Sequence, residues 1–178
     1  LAVAQEEADR KSLSCRFLKG ACDDLPFDDA TFDLLTCRLA AHHFAQPASF
    51  LKEARRVLRP TGRLLLVDNI VPAGSVGTWI NDFERRRDPS HVACLTEQAW
   101  KELWRAQGFE ESRLEELPHE LDFDLWMDRM SVESHDRDEA WEKLRQAPSE
   151  LVDYLQPRQE GEKRFLTLHR LLALVGTG

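Results

Sequence analysis

The sequence has no apolar run approaching the roughly 20 residues needed to cross a bilayer. Runs such as Leu64 to Val67 are strand-sized, so no membrane span is expected. No basic stretch followed by an apolar one stands near the start, so no secretory signal is read there and the cytoplasm is the expected compartment. Cysteines are few: Cys15, Cys22, Cys37 and Cys94. No pair has C-x-x-C spacing and no histidine cluster completes a zinc site, so no metal is expected and reduced thiols are the default. There is no excess of positive charge. The 24 Lys and Arg against 32 Asp and Glu leave a formal net charge of −8, which argues against nucleic-acid binding by phosphate neutralisation. Arg55-Arg56 and Arg85-Arg86-Arg87 then read as solvated helix faces. Internal repeats and low-complexity stretches are also missing.

What is present fits one globular domain. The chain has 178 residues, 42% hydrophobic and 31% charged, enough for a real core. It opens at Leu1 within a helical pattern running to Leu13, so it is expected to be a piece of a longer polypeptide, a single partial domain over residues 1–178. Arg16 to Ala21 is a short strand candidate. Asp23 to Asp29, broken by Pro26, is a loop. Phe32 to Arg38 is a mostly apolar strand. Phe50, Leu51, Ala54, Val57 and Leu58 recur at helical spacing within Pro47 to Leu58. Pro60-Thr61-Gly62 stops that helix, and the apolar run Arg63 to Asn69 follows. Strand, helix, strand reads as a right-handed crossover between parallel strands.

A loop from Pro72 leads into a helix carrying Trp79, Ile80 and Phe83 and ending near Arg87. Thr96 can cap a helix to Gln107 that Gly108 closes, with Trp100, Leu103 and Trp104 as its buried stripe. Ser112 to Leu117 is a strand, with Pro118 marking its end or an edge position. Asp122 to Met130 and Asp138 to Gln156 read as helical, the second interrupted near Pro148. The charged stretch 131–138 is a candidate flexible linker. Arg164 to Val175 is the final strand by elimination.

Three segments carry something more specific. The first is Gly20-Ala21-Cys22-Asp23-Asp24-Leu25-Pro26-Phe27, followed by Asp29-Ala30-Thr31-Phe32-Asp33. It resembles the "G-D-A-x-x-L-P-F … D-x-x-F-D" signature of class I S-adenosylmethionine-dependent methyltransferases of the ubiquinone/menaquinone-biosynthesis type. The second, Cys37 to Phe44 with His42-His43, is similar to the "H-H" segment after a strand in that family. The third, Leu58 to Leu64, is close to "L-x-P-G-G-x-L". Order and spacing agree, and Arg87 to Val92 also resembles some members.

The resemblance implies an α/β, Rossmann-like methyltransferase sheet, mostly parallel with an antiparallel last strand, in the order 3-2-1-4-5-7-6. This chain would lack the first two strands, and Arg16 to Ala21 would be the third. The cofactor, S-adenosylmethionine, would lie across the strand carboxyl ends near the topological switch point. Ala21, Cys22 and Leu25 would meet its adenine and Arg38 its carboxylate, unless Arg38 pairs with Asp33 or Asp24. There are departures. The family's glycine-rich loop, whose backbone approaches the cofactor closely, is nowhere in this chain, and the ribose-binding carboxylate would precede Leu1. The "G-D-A" carboxylate is replaced by Ala21, which cannot accept a hydrogen bond. A hydrogen bond to a charged group contributes roughly 1.5–3 kcal/mol, so its loss costs about tenfold to a hundredfold in affinity.

Of the histidines, either His42 or His43 could orient an acceptor or take its proton, with His43 the preferred catalytic candidate, His91 expected to contact the acceptor and His169 structural. Asp68 is expected to cap the loop after its strand. The tryptophans are expected in the core, with Trp79 or Phe83 lining an acceptor pocket. The expected function is S-adenosylmethionine-dependent methyl transfer to a small-molecule acceptor, as part of a longer or assembled enzyme. The alternative is an inactive remnant serving as a partner-binding or oligomerising module. The sheet edge left by the missing strands would then be covered by a homodimer or a partner chain.

Overall fold

A computed structural model describes residues 1–177. Its centre is one sheet in the order β1-β2-β5-β3, with β4 paired to β5. The strands are β1 (Phe32–Arg38), β2 (Leu58–Ile70), β3 (Glu110–Asp122), β4 (Arg158–Glu160) and β5 (Lys163–Gly176). β1 and β2 are parallel, and β5 is antiparallel to both β2 and β3. β1, β2 and β3 therefore run the same way and the last strand opposes them, the sheet that the resemblance implies.

The helices are α1 (Ala2–Arg10), α2 (Pro47–Val57), α3 (Ser75–Arg87), α4 (Glu97–Ala106), α5 (Phe123–Asp128), α6 (Ser134–Arg145) and α7 (Ser149–Leu155). α2 is the crossover between β1 and β2, and its stripe of Phe50, Leu51, Ala54 and Val57 is buried. It shares a core with Trp100 and Trp104 of α4 and with Leu64, Leu66, Leu171, Ala173 and Val175 from the sheet. Thr96 caps α4, its Oγ1 accepting the Ala99 N–H at 3.0 Å. Gly108 follows with φ 76°, a conformation favouring glycine. A second core joins α3, α5, α6 and α7 through Ile80, Phe123, Trp126, Trp141, Leu144 and Leu151.

Several expectations need correction. Arg16 to Ala21 is not a strand; the segment keeps only an isolated bridge between Ala21 and Asp24. A strand is stabilised by its neighbours, and among the described residues β1 pairs only with β2. β3 is longer than the expected Ser112 to Leu117, and of the two readings of Pro118 the edge position holds, where a missing N–H can face solvent. β2 begins at Leu58, so Pro60-Thr61-Gly62 lies inside it. Thr177 supports this stretch, its N–H donating to Gly62 O at 3.1 Å and its hydroxyl to Arg59 O at 2.9 Å. Of the stretch 131–138, the part from Ser134 onward is the start of α6.

Candidate active site

β1 ends at Arg38, and Leu39 turns the chain with φ 49°. Such a conformation is costly for a branched residue and recurs at functional sites. It is held by the Leu39 N–H, which donates to Val67 O at 2.8 Å. A short 3-10 turn, Ala41–His43, follows. It places His42 over the carboxyl end of β2, where Asp68 is 1% exposed. Asp68 Oδ2 accepts the His42 backbone N–H at 3.0 Å, and Oδ1 lies 2.5 Å from His42 Nδ1. Oδ1 also accepts the Asn69 N–H at 2.7 Å.

A carboxylate can only accept, so His42 donates through Nδ1, and Nε2 is the ring nitrogen left to face a ligand. Nε2 has no hydrogen-bond partner among the described residues. The neighbours are the other two expected histidines. The His43 ring centroid is 4.1 Å from that of His42, and the His91 ring 5.6 Å. His43 Nδ1 donates to Ser90 O at 3.0 Å, and the Ser90 hydroxyl is 3.2 Å away.

His91 is buried, with Nε2 2.8 Å from Asn81 Oδ1. That oxygen also accepts the Cys94 N–H at 2.7 Å, while Asn81 Nδ2 donates to Cys94 O at 3.1 Å. The amide orientation is therefore fixed and His91 must donate through Nε2. Burial, followed by the charges of His42 and Arg85, pushes His91 down to about 4. It is neutral near pH 7 and does not take a proton there, so its place is beside the site as a support. The loop is tied to the turn, since Val92 and Ala93 N–H groups donate to His42 O at 2.9 and 3.1 Å.

Below this cluster lies a buried ion pair. Glu84 and Arg87 meet at 2.9 Å, and the Arg87 guanidinium stacks 4.2 Å from the Trp126 ring centroid. Burial raises the Glu84 carboxyl and Arg87 opposes the rise. Trp79 and Phe83, expected at an acceptor pocket, stack with centroids 5.1 Å apart. Both line a depression of about 370 Å³ that also involves Lys143 and Pro148, between α3 and the α6–α7 corner.

The expected cofactor contacts separate into two places. Ala21, Cys22 and Leu25 line an open depression of about 430 Å³ with Phe17, Pro26 and Phe27. Its largely apolar wall fits a flat heteroaromatic ring such as adenine, and it offers no side-chain carboxylate at Ala21. The loop forming it is clamped by α2. The Arg56 guanidinium donates to Phe27 O, Asp29 Oδ1, Leu25 O and Glu53, while Glu53 Oε2 accepts the Leu25 N–H at 2.9 Å. Arg38 does not line this depression. Asp33 pairs with Arg59 at 2.6 Å instead, and Arg38 has no salt bridge among the described residues.

The sequence reading placed Asp68 at the crevice, as a cap for the following loop or a substrate contact, and missed its pairing with His42. The signal available was an acidic residue ending one parallel strand and a histidine following its neighbour. The parallel register, with Arg38 opposite Val67, brings those two ends together. His169, expected to be structural, lies 2.6 Å from Glu116 and stacks on Tyr154 with centroids 4.2 Å apart.

Known proteins of similar sequence and shape point one way. Residues 1–66 match the family described as "Methyltransferase domain". YcgJ of Bacillus subtilis, an uncharacterised methyltransferase, is 36% identical over 129 residues, which are 71% of this chain and 51% of YcgJ. Its crystal structure superposes with TM-score 0.87 at 30% identity, covering 98% of this chain and 76% of that one. A candidate methyltransferase from Bacillus halodurans C-125 gives TM-score 0.84 at 32% identity, covering 90% of this chain and 76% of its own. Demethylmenaquinone methyltransferase of Deinococcus radiodurans is 41% identical over 76 residues, 43% of this chain and 32% of the relative. The chain thus spans about half the length of YcgJ as matched by sequence. With the sheet order and these likenesses in agreement, the chain belongs to the class I S-adenosylmethionine-dependent methyltransferases.

Proposed function

We propose that the protein transfers a methyl group from S-adenosylmethionine to a small-molecule acceptor, with His42 taking the acceptor's proton. The observation behind this reading is the buried Asp68, which holds His42 at the carboxyl end of the parallel strands with Nε2 unengaged. When bound, S-adenosylmethionine supplies a methyl group already activated on a sulfonium. The protein's task is then placement, water exclusion and proton removal. Ala21, Cys22 and Leu25 would hold the adenine end. His42 Nε2 accepts the proton from the acceptor's nucleophilic atom as that atom gains the methyl group. His43, anchored on Ser90, lines the approach, and neutral His91 keeps the loop against His42 without competing for the proton.

The test is direct. The purified protein is incubated with S-adenosylmethionine and a panel of phenol, thiol, amine and quinol acceptors, and S-adenosylhomocysteine is measured. Acceptor-dependent release that His42→Ala abolishes is the expected result. A folded protein that releases none with any acceptor, and binds no S-adenosylhomocysteine by calorimetry up to millimolar concentration, would overturn the reading.

A further inference from the structure

Asp88-Pro89-Ser90-His91 follows α3, and an acidic residue with proline after it favours a tight turn. The His91 N–H closes that turn, donating to Asp88 O at 3.0 Å. Inside it, Asp88 Oδ1 accepts the Ser90 N–H at 2.9 Å and the Ser90 hydroxyl at 2.6 Å. Asp88 is buried. Burial raises its carboxyl, but the two hydrogen bonds from Ser90, then the charges of Arg87 and His43, bring it below its ordinary value. It stays a carboxylate near neutral pH and can only accept.

A hydroxyl has one hydrogen, and Ser90 gives it to Asp88. Towards His43 Nδ1, 3.2 Å away, Ser90 Oγ then only accepts, as the Ser90 carbonyl does at 3.0 Å. Two acceptors at one ring nitrogen make Nδ1 the donor and leave Nε2 to face a ligand; Nε2 has no hydrogen-bond partner among the described residues. His43 is half-buried, with its ring centroid 4.1 Å from that of His42. Each of these adjacent histidines therefore has a buried carboxylate behind Nδ1. Asp68 stands there directly at His42, and Asp88 acts through a hydroxyl at His43. A turn alone needs Asp88 only for the Ser90 N–H. The hydroxyl link is additional, and it reaches a segment distant in the chain.

We infer that Asp88 and Ser90 are positioning residues for His43, holding its Nε2 against the methyl acceptor beside the atom that His42 serves. Only the word acceptor rests on the methyl-transfer reading; the link from Asp88 to His43 stands on the hydrogen bonds alone. His43 binds and orients, while proton removal stays with His42, whose carboxylate is in direct contact. A ring fixed in advance loses less freedom when it meets a ligand. Asp88→Asn keeps an accepting oxygen for both Ser90 donors. Asp88→Ala does not, and frees the Ser90 hydroxyl to donate to His43 Nδ1 instead.

The experiment is NMR of nitrogen-labelled histidine rings in the purified full chain at about pH 8, above the usual histidine range. Initial rates follow, with whichever phenol, thiol, amine or quinol the protein methylates. In the parent, the ring signals of His43 should show the hydrogen on Nδ1. Asp88→Ala should lower the preference for Nδ1 over Nε2 by roughly tenfold, and Asp88→Asn should stay near the parent. Ser90→Ala, at an exposed position, removes the hydroxyl and keeps the carbonyl. It should act in the same direction by a smaller factor, and it carries the test if Asp88→Ala does not fold. In the rates, Asp88→Ala should raise KM by roughly tenfold with kcat little changed. His43 signals that ignore both Asp88→Ala and Ser90→Ala, an Asp88→Asn variant that behaves as Asp88→Ala, or a fall in kcat at constant KM would overturn the inference. The expected His43 changes in a protein that methylates nothing would sustain the link while removing the methyl-transfer reading.

Discussion

Asp68 Oδ1 lies 2.5 Å from His42 Nδ1 and also accepts the Asn69 backbone N–H at 2.7 Å, while Oδ2 takes the His42 backbone N–H at 3.0 Å. Three donors thus converge on one buried carboxylate. An amide has one accepting end only. In Asp68→Asn either the turn at His42 loses its anchor or an NH2 group faces Nδ1 and forces the wrong tautomer. Turnover of Asp68→Asn should fall by roughly a hundredfold to ten-thousandfold, the range for losing an oriented acid–base group. S-adenosylhomocysteine affinity should stay near the parent value. Initial rates and calorimetry check both halves, and unchanged turnover would remove His42 from the mechanism.

His91 gives the stability a pH dependence of definite sign. Its imidazole is lowered from the usual 6.5 to about 4 by burial, then by His42 and Arg85. Between those values the unfolded chain binds a proton that the folded protein refuses. The His91 contribution is therefore fully present above about 6.5 and is lost as pH falls towards 4, amounting to at most about 3 kcal/mol. His91→Gln keeps a donor for Asn81 and has no proton to take up. Urea unfolding from pH 7 to pH 4 should give a shallower decline for His91→Gln, by up to one proton in slope. Identical slopes would place His91 in contact with water.

The sequence made the frame of this fold legible and left the convergence of the site obscure, for physical reasons. Apolar periodicity is local, so α2, α4 and the β1-α2-β2 crossover could be read from Phe50, Trp100 and Leu64 and their neighbours. Arg16 to Ala21 has strand-like composition, but a strand exists through its partner, and no residue type encodes that partner's presence. The Asp68–His42 pair and the Arg56 clamp depend on how distant segments come together. Each member alone looks like an ordinary polar residue at the end of an element. Ala21 was legible in the opposite sense, because only the resemblance shows that a carboxylate is expected there.

The Arg56–Glu53 pair governs the loop that carries Leu25 and Phe27. Hydrogen bonds from Arg56, then the Leu25 N–H, hold the Glu53 carboxyl down at about 2. Arg56→Met keeps most of the stem against the loop but leaves the Leu25 and Phe27 carbonyls and Glu53 without their donor. The amide of Leu25, bonded to Glu53 Oε2 at 2.9 Å, should exchange with solvent faster, by roughly tenfold or more for a lost charge-assisted hydrogen bond. Amides in the centre of β2 should keep their protection. Hydrogen exchange read by mass spectrometry or NMR resolves the two regions, and an unchanged Leu25 amide would show that the loop is held by its apolar contacts.

Ala21 offers a gain-of-function test. It stands where the signature that this segment resembles has an aspartate, in the lining of the depression that Cys22, Leu25 and Phe27 share. The position is exposed, so a carboxylate there meets little desolvation cost. If this depression receives adenine, Ala21→Asp adds an acceptor for the exocyclic amino group. S-adenosylhomocysteine should then bind roughly tenfold more tightly or better, the lower end of the range for a hydrogen bond to a charged group. S-inosylhomocysteine, which lacks that amino group, should gain nothing. The pair of ligands separates a specific contact from a general effect of added negative charge. Equal gains for both would mean the carboxylate acts at a distance. No gain for either would place adenine elsewhere on the strand ends.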